Sequence, residues 1–423
     1  MTAHPVPARS PEKVSPRVQP RSPLRGPWLT SIFGAVLLVG LPIVIVTGLL
    51  SYIAYGPQFG QAMPGDVGWL RLPQFDWPTD PAWLYRLTQG LHVGLGLVLV
   101  PIVLAKLWSI IPKLFAKPPI RSIAQALERL SLIALVGGIL FEIVTGVLNI
   151  QYDYIFGFSF YTAHYWGAWI FIAGFVSHTL LKTPLMIHTL RGRSLMQVLK
   201  DKQTEQEVGD SDLIAENPSE PTISRRGALA LVGGGALFVA VLTAGQSTGG
   251  FLRNAAILLP RGRSYGDGPN DFSINRTASA AEIDDVNTGP QWMLSVTGGD
   301  TPLTFSRDAL LRMQQHTADL PIACVEGWST VQTWTGVRLR DLTEAAGVGN
   351  PKSAQVTSIE KNGPFRQAVL QSNQVLHPDS LLALKVNGAD LSLDHGYPAR
   401  IIVPAMPGVH NTKWVEAIEF RSS

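Results

Sequence analysis

Four apolar runs, at about 28–55, 84–111, 127–150 and 163–187, dominate the first half of the chain. Each is near or above the roughly 20 residues that a helix needs to cross a bilayer. They cannot all be buried in one soluble core, so they are expected to span a membrane as a four-helix unit over 28–190. Only 15% of residues are charged, against roughly 25% in soluble proteins. The net charge is +3, and no basic run interleaves with aromatics, so nothing supports nucleic-acid binding. The chain has one cysteine, which excludes an intrachain disulfide and cysteine-ligated iron–sulfur clusters.

Basic residues give the orientation, because they concentrate on cytoplasmic loops. Residues 1–27 are Pro-rich, carry Arg9, Lys13, Arg17, Arg21 and Arg25, and read as a disordered tail. Lys113, Lys117 and Arg121 separate the second and third runs, and Arg191, Arg193, Lys200 and Lys202 follow the fourth. The loop at 56–82 has only Arg71, and 151–162 has no Lys or Arg. The N-terminus is therefore expected in the cytoplasm, in a multi-pass protein of the cytoplasmic membrane. Trp69, Phe75 and Trp77 give the outer loop the look of a membrane-interface segment. A polar linker at 191–224 leads to Ser224-Arg-Arg-Gly-Ala-Leu229 and a Gly/Ala-rich run to Gly245. That stretch, 225–245, reads either as a plain fifth anchor or as a twin-arginine export signal. Both place residues 246–423 outside the cell membrane, and whether the helix is cleaved stays open.

The membrane half repeats itself weakly. Ile45-Val-Thr-Gly-Leu-Leu50 recurs as Ile143-Val-Thr-Gly-Val-Leu148. His92 and His164 lie near the outer ends of the second and fourth runs, each followed twenty residues later by a proline, Pro112 and Pro184. Imidazoles from facing helices at one depth are what bis-histidine haem ligation requires. A packing histidine is the bland alternative, but ionisable groups in a membrane are costly and usually functional. His178 lies fourteen residues after His164, about 21 Å further along the helix and about 40° off its face. The spacing resembles the four-helix cytochrome b subunits of formate dehydrogenases and nickel–iron hydrogenases, where helix four gives a ligand to each of two haems. Here the first helix has no histidine, and the repeat-equivalent of His178 is Lys106. One haem b on His92 and His164 is expected, and a second at His178 stays open. Glu142 reads either as a quinone-protonating group or as an interhelical hydrogen-bond partner.

The single cysteine sits in Pro321-Ile-Ala-Cys-Val-Glu-Gly-Trp-Ser329. Taken bare, it would be a small buried hydrophobe. Trp334-Thr-Gly-Val-Arg-Leu-Arg-Asp-Leu342 follows, then Asn387-Gly-Ala-Asp-Leu-Ser-Leu-Asp-His-Gly-Tyr-Pro-Ala-Arg400 and Lys413-Trp414. Over roughly 268–423 these stretches resemble the sulfite-oxidase family of molybdopterin enzymes, which includes the methionine-sulfoxide-reductase type. The resemblance makes Cys324 a thiolate ligand to molybdenum and the catalytic residue; a soft thiolate suits such a metal. It places the anionic pterin phosphate against His395, Arg400 and Lys413, with Asn275 and Arg276 as an earlier contact. Gly388 and Gly396 would bring backbone close to the pterin or simply form turns. The chain departs from sulfite oxidases at Val325, Glu326, Gly327 and Trp328, where arginines would hold a dianion, and at His410-Asn411. Glu326 either faces the metal or is paired and inert, and Trp328 and Trp334 line a pocket or fill the core.

Short strand-like stretches at 292–296, 399–403 and 415–420, with short helices at 306–315 and 339–346, make the exported domain an α+β fold. The whole is expected to be a membrane-bound molybdenum oxidoreductase. It would couple a small substrate at an extracytoplasmic Mo-molybdopterin centre to haem b and a membrane quinone. The alternative is a non-catalytic electron-relay or binding protein that keeps the fold.

Overall fold

A computed structural model describes residues 26–59, 64–71, 73–114, 122–150, 157–192, 194–200, 223–258, 266–363 and 365–422. The expected tail at 1–27 lies outside these residues apart from 26 and 27, and the expected linker at 191–224 lies outside them at 193 and 201–222. Long helices form the first half: α1 (Pro27–Ala54), α2 (Leu84–Leu114), α3 (Ile123–Asn149), α4 (Phe160–Arg191) and, after a short α5 (Leu195–Lys200), α6 (Arg225–Thr248). Among the described residues, five helices are long and apolar enough to cross a membrane. Their starts are marked chemically. Pro27 opens α1, where a missing N–H costs nothing. Ser122, Ser159 and Ser224 cap α3, α4 and α6 by accepting from the backbone N–H groups of Gln125, Thr162 and Gly227.

Small residues set the helix spacing. A Cβ on Gly138 would come within 2.8 Å of the Phe171 backbone, and one on Gly174 within 2.5 Å of the Leu135 nitrogen, so α3 and α4 meet backbone to backbone. Gly40 of α1 takes the Leu99 side chain of α2 in the same way. Helix α6 lies along α2, and the Arg86 guanidinium donates to the Ser247 and Thr248 carbonyls at its C-terminal end.

A two-stranded β1 (Asp66–Val67) and β2 (Leu70–Arg71) hairpin sits in the α1–α2 connection. The rest of that connection corrects the expectation of a membrane-interface segment. Trp69 is 94% exposed, but Trp77 is 2% exposed inside the core of the C-terminal domain. Its indole N–H donates to the Ala405 carbonyl, its backbone N–H to Gln371 Oε1, and its carbonyl accepts from Asn373. The aromatic residue anchors one domain to the other.

The C-terminal domain carries the short helices α7 (Asp285–Thr288), α8 (Arg307–Arg312), α9 (Leu339–Ala345) and α10 (Ser372–Leu376) around two sheets. Its strands are β3 (Met293–Thr297), β4 (Leu303–Ser306), β5 (His316–Ala323), β6 (Ser329–Arg338), β7 (Ser353–Ser358), β8 (Gln367–Gln371), β9 (Leu381–Val386), β10 (Ala389–Asp390), β11 (Arg400–Ile402) and β12 (Val415–Arg421). One sheet runs β10-β9-β6-β5, with β11 also on β9; the other runs β4-β3-β12-β7-β8. Among the described strand pairs, only β12–β3 is parallel. Strand β9 is buried along almost its whole length, since it lies in the middle of its sheet under the domain core. Asn387 (φ 49°) and Gly388 (φ 82°) make the two-residue β9–β10 turn, which needs positive φ at both positions. Nothing else approaches Gly388, so turn formation accounts for it.

Candidate functional site: a cysteine cavity beside a histidine pair

Cys324 heads the turn between β5 and β6. Its N–H donates to the Trp328 carbonyl (2.9 Å) and its carbonyl accepts from Gly327 N–H (3.0 Å). Gly327 has φ 92°, and a Cβ there would lie 2.8 Å from Val93 of α2. Only glycine allows that backbone and that approach. Cys324, the one cysteine of the chain, is 3% exposed. It opens into a cavity whose walls include Asn275, Arg276, Glu326, Glu360, Asn411 and Lys413. Four residues singled out in the sequence, Cys324, Asn275, Arg276 and Lys413, thus meet at one cavity.

His395 and Arg400 stand behind that wall. His395 stacks on Phe272 (3.7 Å between centroids), and its Nε2–H donates to the Asn270 carbonyl. Arg400 is buried, donates to the carbonyls of His395 and Asn411, and lies over the Trp334 ring at 5.1 Å. Gly396 (φ 105°) makes this cluster possible, because a Cβ there would crowd Lys413 at 3.0 Å and Arg400 at 3.1 Å. Lys413 donates to the carbonyls of Arg276 and Asp394, and Trp414 beside it holds φ 52°, rare for a bulky residue.

Burial strains these charges. It pulls Arg400 down to about 9, still protonated at neutral pH. Burial, with the Arg400 charge second, drives Lys413 well below its usual value and His395 down to about 3. Arg276 is paired with Glu360, whose carboxyl burial pushes up. Among the described residues, Arg400 Nε, His410 Nε2 and Asn411 Nδ2 are buried without a hydrogen-bond partner. Crowded cations with orphaned donors fit an anionic, polar group such as a pterin phosphate.

The open questions at this loop resolve. Glu326 lines the cavity, but its Oε2 accepts the Trp328 indole N–H at 2.8 Å. Trp328 and Trp334 pack in the core and do not line the cavity. Sequence reasoning missed Asn149 and Tyr161, which reach the cavity from α3 and α4. Their signal was slight: a polar residue closing one apolar run and a tyrosine opening the next.

A second, apolar cavity lies among α1–α4, with His92 and His164 in its walls. Their ring centroids are 6.2 Å apart at an interplanar angle of 89°. That leaves room for one metal between them at bonds of about 2 Å. Each Nδ1–H is already committed. His92 donates to the Val44 carbonyl and His164 to Glu142 Oε2, both at 2.9 Å, with Thr145 Oγ1 at 3.1 Å from the latter. Val44 and Glu142 occupy equivalent positions of the internal repeat. The same site therefore fixes both imidazoles, once by backbone and once by carboxylate, leaving Nε2 of each for a metal. Gly48 presses on His92, where a Cβ would fall 2.7 Å from Cε1. His178 does not join this pair. It lies near Lys106, Lys182 and Glu128, its buried Nδ1 has no partner, and no second histidine faces it among the described residues.

The two cavities share three wall residues: Asn149, Tyr161 and Val325.

Residues 280–423 match the family model described as the oxidoreductase molybdopterin binding domain. A molybdopterin-binding oxidoreductase domain is present. The chain is similar to the uncharacterized oxidoreductase YuiH of Bacillus subtilis, 29% identical over 151 residues covering 35% of this chain and 73% of the relative. It is 27% identical to the protein-methionine-sulfoxide reductase catalytic subunit MsrP of Campylobacter jejuni, over 36% of this chain and 55% of the relative. It is 32% identical to the sulfite oxidase of Arabidopsis thaliana, over 20% of this chain and 25% of the relative. The chain thus spans about half the length of that MsrP relative and a quarter of the sulfite oxidase. Among solved structures, the sulfane dehydrogenase SoxCD of Paracoccus pantotrophus aligns over 32% of this chain and 39% of its own, with 25% identity and a TM-score of 0.30.

Proposed function

We propose that the protein is a membrane-embedded molybdopterin oxidoreductase that exchanges electrons between a small substrate and a quinone through one haem b. The carrying observation is the common wall: the Cys324 cavity and the His92–His164 cavity are both bounded by Asn149, Tyr161 and Val325. Membrane residence is supported by side chains such as Val39, Leu180 and Leu231, which point outward at 67%, 74% and 66% exposure. An aqueous surface would not tolerate so many. The ends of α1–α4 and α6 nearest the C-terminal domain are poor in Lys and Arg, while Arg191, Arg225 and Arg226 mark the opposite ends. That supports a cytoplasmic N-terminus and an exported domain. Arg225 and Arg226 oppose the α6 macrodipole, so orientation or export explains them better than helix stability.

Bound at Cys324, molybdenum on its pterin would supply two-electron or oxygen-atom exchange. A haem between His92 and His164 would supply one-electron transfer. The chain provides the rest. Cys324 would hold the metal, and Lys413, Arg276 and Asn275 would hold the pterin, with Arg400 adding its charge from behind the wall. Glu326 and Glu360 set two carboxylates against Arg276 and Lys413 in the same cavity, which disfavours a dianion and suits a neutral oxygen-atom donor such as a sulfoxide. His178 is given no haem in this account.

Cys324→Ser tests the assignment. Turnover should vanish with the haem spectrum intact, and surviving activity would remove the thiolate role. An exported sample with haem but no molybdenum would establish the non-catalytic relay instead.

A further inference from the structure

The turn that carries Cys324 is tied to the helix that carries His92 by one side chain. Gln89 is 3% exposed, and its Nε2 donates to the Val325 carbonyl at 2.5 Å. Its Oε1 accepts from Ser51 Oγ of α1, also at 2.5 Å, so the amide orientation is fixed. Gln89 precedes His92 by three residues, so the two side chains share a face of α2. The Val325 carbonyl, in the second peptide after Cys324, is therefore joined to the histidine's helix by one hydrogen bond across the domain boundary.

Other contacts hold the same turn without leading to a histidine. Ser247 Oγ donates to the Gly327 carbonyl, and Ser329 Oγ donates to the Ser247 carbonyl. Mechanical docking of the turn thus does not depend on Gln89 alone. What Gln89 adds is a short bonded path from that turn to α2, beside the wall formed by Asn149, Tyr161 and Val325.

We infer that Gln89 is a positioning residue for electron transfer, coupling the Val325–Glu326 peptide, one residue beyond Cys324, to the His92 helix across the domain boundary. The inference rests on the two-centre function above. The step would be a single-electron exchange between the two centres: a reduced haem held by His92 and His164 would lose one electron and a metal held by Cys324 would gain it. No bond forms or breaks, and no proton or leaving group moves.

The test uses the full chain carrying both groups. A light pulse on a deazaflavin reduces the haem, and the decay of its reduced band reports transfer to the metal. That decay phase should be missing in Cys324→Ser. In Gln89→Leu and Gln89→Glu, neither of which presents an N–H to Val325, the phase should slow several-fold. Haem spectrum, molybdenum content and unfolding temperature should stay close to those of the unaltered protein. Ser51→Ala, which keeps the Gln89–Val325 bond, should leave the rate near normal. An unchanged rate in both Gln89 variants overturns the inference while leaving the two-centre function standing. A slowed rate accompanied by lost molybdenum or a lowered unfolding temperature also overturns it, in favour of a structural clamp. Absence of the phase in the unaltered protein removes both readings.

Discussion

Lys413 and Arg400 show how a binding site can be recognised by what it costs the protein that lacks a ligand. Arg400 is buried and Lys413 half-buried, and their main hydrogen bonds go to backbone carbonyls rather than carboxylates. Lys413→Met should therefore raise the unfolding temperature of cofactor-free protein, because it removes a crowded charge. The same change should lower the molybdenum content of protein made with cofactor supplied; calorimetry and metal analysis read the two effects. His395, pushed to about 3 by burial and by Arg400, and His410, pushed to about 4 by burial, give a pH signature. Both have folded values below the roughly 6.5 of an unfolded histidine. Their contribution is complete above that pH and is lost as the pH falls toward 3–4, since the unfolded chain takes up protons first. Arg400 and Lys413 face His395 and oppose its protonation. Acid unfolding curves of cofactor-free protein should steepen in that window. Replacing His395 by Gln should flatten them.

Two elements join the halves, the Cys324–Trp328 turn and the connection between α1 and α2. Gly327→Ala should destabilise the docked domain by about 1–3 kcal/mol, from its left-handed backbone and its contact with Val93. Trp77→Ala should cost about 3–5 kcal/mol, as for other buried aromatics, seen as a lower unfolding temperature with an unchanged haem band. Within the helices, Glu142→Leu removes the acceptor for His164 Nδ1–H, and haem affinity should fall roughly 10- to 100-fold. These elements also show what a sequence can reveal. The strands at β3, β11 and β12 and the long helices follow from local pattern, because periodicity and punctuation are local. The pairing of His92 with His164 was legible through the internal repeat. Trp77 was misread because aromatics in an outer loop look alike whether they meet lipid or protein. Its contacts lie about 300 positions away. Asn149, Tyr161 and Gln89 were missed for the same reason: their importance is set by a domain boundary that no local pattern encodes.

At the scale of the molecule, the Cys324 cavity lies directly against the helices that enclose the His92–His164 pair. A separate enzyme and membrane cytochrome would have to meet by diffusion; here Trp77, Gln89 and Ser247 hold the two units in one register. The central claim is that one chain carries both centres. Molybdenum and haem should be quantified on the purified full chain, beside Cys324→Ser and His92→Ala. The account predicts one molybdenum and one b-type haem per chain, with turnover lost in the first variant and the haem spectrum lost in the second. A folded, exported chain that binds haem but never molybdenum, or molybdenum but never haem, would contradict it.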